Sequence, residues 1–115
     1  MAETPTDPED AKIITLARST RARSQAAEGA AVRDTDGRTY AASTVHLPSL
    51  RLSALQLAVA MAVSSGVGGL EAAAVVTEAD ACEAADLDAV REFGGTGVPV
   101  FRADPRGQVC AVETT

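Results

Sequence analysis

A chain of 115 residues has the size of one ordinary domain. A net charge of −6 and an aromatic content of 3% argue against nucleic-acid binding, which needs clustered cations and stacking surfaces. The longest apolar run, around residues 58–63, is too short to cross a bilayer, so we expect no membrane partner either.

The first predicted elements are a tail, a helix and a hairpin. We expect a disordered N-terminal tail over residues 1–8 and a single domain over residues 9–115. Asp7 and Pro8, at the end of this tail, are typical of a helix start, and the helix runs to about Arg23. Residues 29–33 and 38–45 flank a turn in which Asp36 and Gly37 favour a tight reversal, which predicts a β-hairpin.

The second predicted helix, from Leu50 to Ser65, is apolar almost all round. Pro48 and Ser49 indicate its start, and Gly66 follows its end. A helix without a polar face must be covered on every side, so we expect this one to be central and partly covered by another subunit. The helix therefore predicts a homo-oligomer, either a dimer or a tetramer.

The rest of the chain predicts three strands and a third helix. Residues 70–77 indicate a buried strand, residues 85–93 a helix closed by glycines, residues 98–102 a strand, and residues 109–112 an edge strand after a turn at 104–107. This order predicts an α/β fold in which one mixed five-stranded sheet carries helices on both faces.

The two cysteines, Cys82 and Cys110, form neither a disulfide framework nor a paired metal motif. Residues 1–10 also lack the basic and then apolar pattern of a secretory signal. We therefore expect a cytoplasmic protein with reduced thiols, in which Cys110 is a small core residue on an apolar strand.

Several segments, taken in this order, resemble the cytidine deaminase family. Residues 29–32 with Asp36 and Gly37 resemble the family's first strand and hairpin turn, and residues 58–66 resemble the helix after its first zinc motif. Residues 89–94, 98–100 and 107–109 resemble its later helix, strand and hairpin. The resemblance runs from about residue 10 to residue 112 and implies a cytidine deaminase-like three-layer sandwich.

The resemblance also implies a loss of chemistry. In that family a zinc ion held by three Cys, or by one His and two Cys, activates a water molecule, while a glutamate that is not a ligand carries protons. Ser53 stands at the first ligand position and Leu55 at that of the glutamate, whereas Glu83 and Asp86 replace the two later cysteines. We therefore expect no catalytic residue, no metal ligand and no cofactor, although the family would lead one to expect zinc.

The same resemblance implies a vestigial pocket, because Thr44 and His46 stand at the positions where the family binds the ribose of its substrate. We interpret His46, which has no second ligand near it in sequence, as a partly exposed loop histidine rather than a metal ligand. Cys82 with two nearby acids could form a makeshift zinc site, but acids at a helix start are typical of capping, which we favour. The pocket residues are Thr44, His46, Ser53, Leu55, Glu83 and Asp86.

Three functions are compatible with these observations. The favoured hypothesis is a pseudoenzyme that acts as an oligomeric scaffold or as a module for an unknown protein partner. The alternative is a protein that binds a nucleoside or another small metabolite without converting it. The least favoured hypothesis is an active, zinc-dependent nucleoside deaminase.

Overall fold

Three helices and seven strands form the part of the chain that this computed structural model describes, Pro5 and residues 7–115. Helix α1 begins at Pro8, the last residue of the predicted tail, because the Asp7 carboxylate caps it by accepting the Glu9 amide at 2.8 Å. Residues 1–4 and residue 6 of that tail lie outside the described residues. In chain order the elements are α1 (Pro8–Ser24), β1 (Gly29–Asp34), β2 (Thr39–Ser43), β3 (Val45–Leu47), β4 (Leu50–Leu52), α2 (Ala54–Ser64), β5 (Leu70–Val76), α3 (Ala84–Gly94), β6 (Pro99–Ala103) and β7 (Val109–Thr114).

One five-stranded sheet, in the order β2-β1-β5-β6-β7, organises the fold. Strands β5 and β6 are parallel, and every other neighbouring pair in this sheet is antiparallel. Helix α1 packs on one face, where Ile13 and Ala17 meet Val76. Helices α2 and α3 pack on the opposite face, around Leu55 and Val90. The predicted mixed sheet and three-layer sandwich are confirmed.

The β1–β2 hairpin is fixed by the buried carboxylate of Asp34. It accepts hydrogen bonds from the Tyr40 hydroxyl at 2.7 Å and from the amides of Asp36 and Arg38 at 2.8 and 3.0 Å. Burial raises the pKa of Asp34, but these hydrogen bonds together lower it below its ordinary value. The predicted reversal at Gly37, which has a φ of 87°, is confirmed.

Helix α1 approaches the sheet closely at Gly29. A Cβ atom placed there would lie 2.1 Å from the carbonyl oxygen of Ala17 and 2.8 Å from the Cβ of Arg21. Only glycine, which has no side chain, allows the helix backbone to lie this close to β1. Small residues in α1 and β1 thus let the two backbones approach closely, so the core is filled although large apolar side chains are scarce.

The predicted start of the second helix is wrong. Pro48 and Ser49 form the turn of a short hairpin in which β3 pairs with β4, and α2 begins only after Ser53. The Ser53 hydroxyl accepts the amide of Gln56, while the Gln56 side chain accepts the amide of Ser53. This reciprocal capping box stabilises the helix start by satisfying two otherwise free N–H groups.

Helix α2 is covered by its own chain on one side only. Its buried face comprises Ala54, Leu55, Ala58, Val59 and Ala62. Met61 and Val63, which flank this face on opposite sides, are 38% and 50% exposed, and Leu57, Ala60 and Met61 form an apolar surface on the side away from the core. None of the helices in the described part of the chain has the length and hydrophobicity needed to span a bilayer.

Cys110 is exposed, so its predicted place in the core is wrong. Val109 pairs with Ala103 and lies in the core, but the register between β6 and β7 shifts beside it, so Cys110 has no residue opposite it in β6. The sheet ends at this strand, and α1 packs against β1, β2 and β5 instead.

Candidate functional site

The starts of helices α2 and α3 are joined by a short hydrogen bond. The Ser53 hydroxyl donates to Oδ1 of Asp86 at 2.6 Å, while its oxygen accepts the Gln56 amide at 3.0 Å. Asp86 lies in the first turn of α3 and is only 4% exposed. A carboxylate is favourable at this end of a helix because the free N–H groups and the helix dipole attract negative charge. A serine–aspartate pair therefore links the two helix starts.

Burial is the main influence on Asp86. It raises the pKa of this carboxyl, the hydrogen bond from Ser53 partly lowers it, and the charge of Glu83 raises it further; the net direction is upward. The folded chain therefore binds this proton more tightly than the unfolded chain does. The resulting stabilisation is fully present below the ordinary pKa of 3.8 and is lost as pH rises through the raised value.

We expect Asp86→Asn to remove this loss of stability, because the amide keeps the shape and a hydrogen bond to Ser53 but carries no charge. The free energy of unfolding of the variant, relative to the native chain, should rise as pH increases from about 3.5 to about 7. Urea unfolding at several pH values measures it. Asp80→Asn, at an exposed position, should leave the pH profile unchanged. Parallel profiles for native chain and Asp86→Asn would contradict the assignment.

Leu55 and Glu83, the other two positions of the predicted zinc motif, are not part of this serine–aspartate pair. Leu55 lies on the inner face of α2 and is fully buried in the core. Glu83 occupies the cap position of α3 and is exposed, but its side chain makes no capping hydrogen bond, so the predicted capping role is wrong for that side chain. Within Pro5 and residues 7–115, no group of three or more His, Cys, Asp or Glu residues is arranged to hold a metal ion.

Cys82 precedes α3 as a half-buried thiol. Burial, followed by the nearby carboxylate of Glu113, raises its pKa to about 12. The Glu113 carboxylate also accepts the Cys82 amide at 3.3 Å. The thiol is therefore protonated at neutral pH, a state in which cysteine is a poor nucleophile.

An open cleft of about 430 Å³ lies beside these helix starts. It is lined by residues 27–28, 44–46, 51–53 and 77–79, and so by the ends of β2 and β5 and by the β3–β4 hairpin. Three of the predicted pocket residues, Thr44, His46 and Ser53, line this cleft, whereas Leu55, Glu83 and Asp86 do not. His46 lies on strand β3 rather than in a loop, is exposed, and pairs across the hairpin with Arg51.

Glu28 and Thr77 line the cleft and were missed from the sequence. The Thr77 hydroxyl donates to Oε2 of Glu28 at 2.8 Å and accepts the Ala79 amide at 3.0 Å. Thr44 fixes the backbone of Glu28, because its hydroxyl oxygen accepts the Glu28 amide at 3.0 Å. One signal was available, since Thr77 is the first polar residue after a buried strand, and ligands bind at such strand ends in α/β sheets.

Comparisons with known proteins agree with this architecture. The chain is similar to the cytidine deaminase of Burkholderia pseudomallei, with 25% identity, a TM-score of 0.78 and 90% of each chain covered. It also resembles in fold the cytidine deaminase of Mycobacterium leprae, at 21% identity and a TM-score of 0.70, again over 90% of each chain. A mutant cytidine deaminase from Mycobacterium tuberculosis matches at 27% identity and a TM-score of 0.66, covering 77% of this chain and 79% of that one.

A search of curated protein sequences finds no significant match. A model of the cytidine deaminase-like family, however, matches residues 6–107, most of the chain. Together with the sheet order and the paired helix starts, this match identifies the chain as a member of the cytidine deaminase-like family.

Proposed function

We propose that this chain is a non-catalytic member of the family that acts by assembling with copies of itself. The observation that carries the proposal is the surface of α2 that its own chain leaves uncovered, where Ala60 and Met61 are exposed. Leu57, Met61 and Tyr40 border a shallow apolar cleft of about 430 Å³ on this side of the helix. Exposed apolar surface of this kind is typical of interaction sites.

A second copy of the chain is the proposed occupant because α2 carries no charged residue. In a twofold assembly the same surface faces itself, so any charge in it would meet a like charge. The chain has a net charge of −6, so two copies repel each other, and this repulsion is weakest where the facing surfaces carry no charge.

The interface helix is shorter than the predicted one over residues 50–65, because residues 50–53 precede α2. The choice between dimer and tetramer stays a prediction, as does the cytoplasmic location.

Catalytic inactivity is supported by the chemistry of the helix starts. The Ser53 hydroxyl donates a hydrogen bond to Asp86 and accepts one from the Gln56 amide. The side chain of Leu55 is buried and cannot transfer a proton. We expect purified chain to release no ammonia from cytidine above the uncatalysed rate, with or without added zinc. Turnover that persists in the native chain and disappears in Ser53→Ala would overturn this part of the proposal.

The assembly itself is tested by Met61→Glu. A carboxylate at this place would be desolvated and would face its own copy across the interface, so we expect the dissociation constant to rise about a hundredfold. Sedimentation velocity over a range of chain concentrations measures the change. Thr15→Glu, which adds the same charge to the exposed side of α1, serves as the control and should assemble like the native chain. A native chain that stays monomeric throughout would refute assembly.

A second candidate function is the binding of a small molecule in the cleft between Thr44, Ser53 and Thr77. It is favoured by a specific observation, namely that Thr44 and Thr77 hold the backbone and the carboxylate of Glu28 at the edge of an open cavity. The two functions use separate surfaces and are independent of each other.

A further inference from the structure

The cleft contains one charge of each sign that has no partner of its own. Glu28 and Arg51 both line it, and neither takes part in any ion pair within the described part of the chain. The third charged group, Glu78, is paired with Arg21 at 3.8 Å. The two charges of the cleft that have no ion-pair partner are therefore one carboxylate and one guanidinium, while Glu78 is largely exposed.

Glu28 is held in place by its neighbours. Thr44 binds its amide at 3.0 Å and its carbonyl oxygen at 3.3 Å, and Thr77 binds one carboxylate oxygen at 2.8 Å. Arg51 is an exposed residue of strand β4 that lines the cleft, and its side chain makes no hydrogen bond within the described residues. The carboxylate thus has a fixed position, and the guanidinium is available to a ligand.

We infer that this cleft binds a small zwitterion, with an ammonium group at Glu28 and a carboxylate at Arg51. A ligand that covers a charge without neutralising it must bear the full cost of desolvating that charge. A neutral ligand would bear this cost at both residues, and a simple anion or a simple cation at one of them. A zwitterion with suitable spacing compensates both charges, and a guanidinium is well shaped to bind a carboxylate through two hydrogen bonds. The inference rests on the ligand-binding candidate of the preceding section.

The test is an NMR titration of the native chain with amino acids of increasing length: glycine, β-alanine, γ-aminobutyrate and ε-aminocaproate. At least one should shift the amides of residues 28, 44–46, 51–53 and 77–79 in a saturable manner. Ethylamine and acetate, which carry one charge each, should bind at least about tenfold more weakly. Arg51→Gln and Glu28→Gln should each weaken binding of the best zwitterion by about tenfold or more. Arg106→Gln, at an exposed turn outside the cleft, should leave the affinity unchanged.

Thr77 is a positioning residue in this scheme, since it holds the Glu28 carboxylate. Thr77→Val should weaken zwitterion binding while Thr77→Ser restores it, a rescue that a merely structural role of the methyl group would not produce. The amide spectra of all variants report whether they remain folded.

Two outcomes would overturn the inference. If cytidine saturates the cleft and Arg51→Gln leaves its affinity intact, the cleft binds a neutral ligand, and only the zwitterion inference fails. If neither the amino acids nor nucleosides shift the cleft amides, the ligand-binding candidate fails with it. Assembly through α2 is measured by sedimentation and is unaffected by either result.

Discussion

The triple variant Ser53→Cys, Glu83→Cys, Asp86→Cys should bind one zinc ion per chain. The Ser53 and Asp86 oxygens lie 2.6 Å apart, so thiolates at these positions can reach one ion. Glu83 precedes Asp86 by three residues at the start of α3, a spacing that places both side chains on the same face of the helix. We expect a binding free energy of roughly 10 kcal/mol, at the lower end of structural zinc sites. Elemental analysis and a competition titration with a chelator measure it.

The matched control replaces one ligand, as Ser53→Cys, Glu83→Cys, Asp86→Ala, and should retain zinc far more weakly because two thiolates do not complete a site. Circular dichroism of both zinc-free variants establishes that they fold. A folded triple variant that binds zinc no better than the control would show that these three positions do not converge, and the proposed correspondence with the family's ligands would then be wrong. Recovered zinc would not restore turnover, because Leu55 still stands where a proton carrier is needed.

Gly29→Ala should destabilise the chain by roughly 3 kcal/mol or more, which lowers the melting temperature by about 10 °C or more. The added Cβ would lie 2.1 Å from the backbone oxygen of Ala17, and a backbone atom cannot rotate away as a flexible side chain can. Helix α1 would have to move off the sheet and give up part of the contact of Ile13 and Ile14 with that face. Thermal and urea unfolding measure the loss.

Gly68→Ala provides the control for the intrinsic effect of replacing glycine. Gly68 has no atom within 4 Å of its added Cβ and no positive φ, so alanine fits without strain. We expect its stability to change by no more than about 0.5 kcal/mol. Equal effects at the two positions would mean that the close approach of α1 to Gly29 is not rigid.

The sheet could be predicted from local sequence because its signals are local. Asp36 and Gly37 fix a reversal, and the apolar run from residue 72 to residue 76 forms most of the central strand β5. The start of α2 was misplaced because proline often precedes a helix, and Pro48 is equally suited to a hairpin turn. The correct start was visible as Ser53 followed three residues later by Gln56, the pattern of a capping box.

The candidate site was only partly accessible from the sequence. Family resemblance placed Ser53 and Asp86 at the positions of two zinc ligands, but only the fold shows that Ser53, while it caps α2, also donates a hydrogen bond to Asp86. Glu28 and Arg51 come from segments that bear no motif, and their meeting in one cleft depends on how β4 lies relative to the start of β1 in three dimensions. Cys110 was misjudged because a short apolar strand at a sheet edge is buried on one face only.

The pairing of β1 with β5 determines the order in which the molecule can fold. Strands β1 and β2 are neighbours in sequence and are locked by Asp34, so their hairpin can form within microseconds. Strand β5 must find β1 across an intervening stretch that contains β2, the short hairpin and all of α2. Closing so long a loop costs entropy before any contact compensates for it. We therefore expect the pairing of β5 with β1, which closes a longer stretch of chain than the pairing of β5 with β6, to be the slower of these two steps.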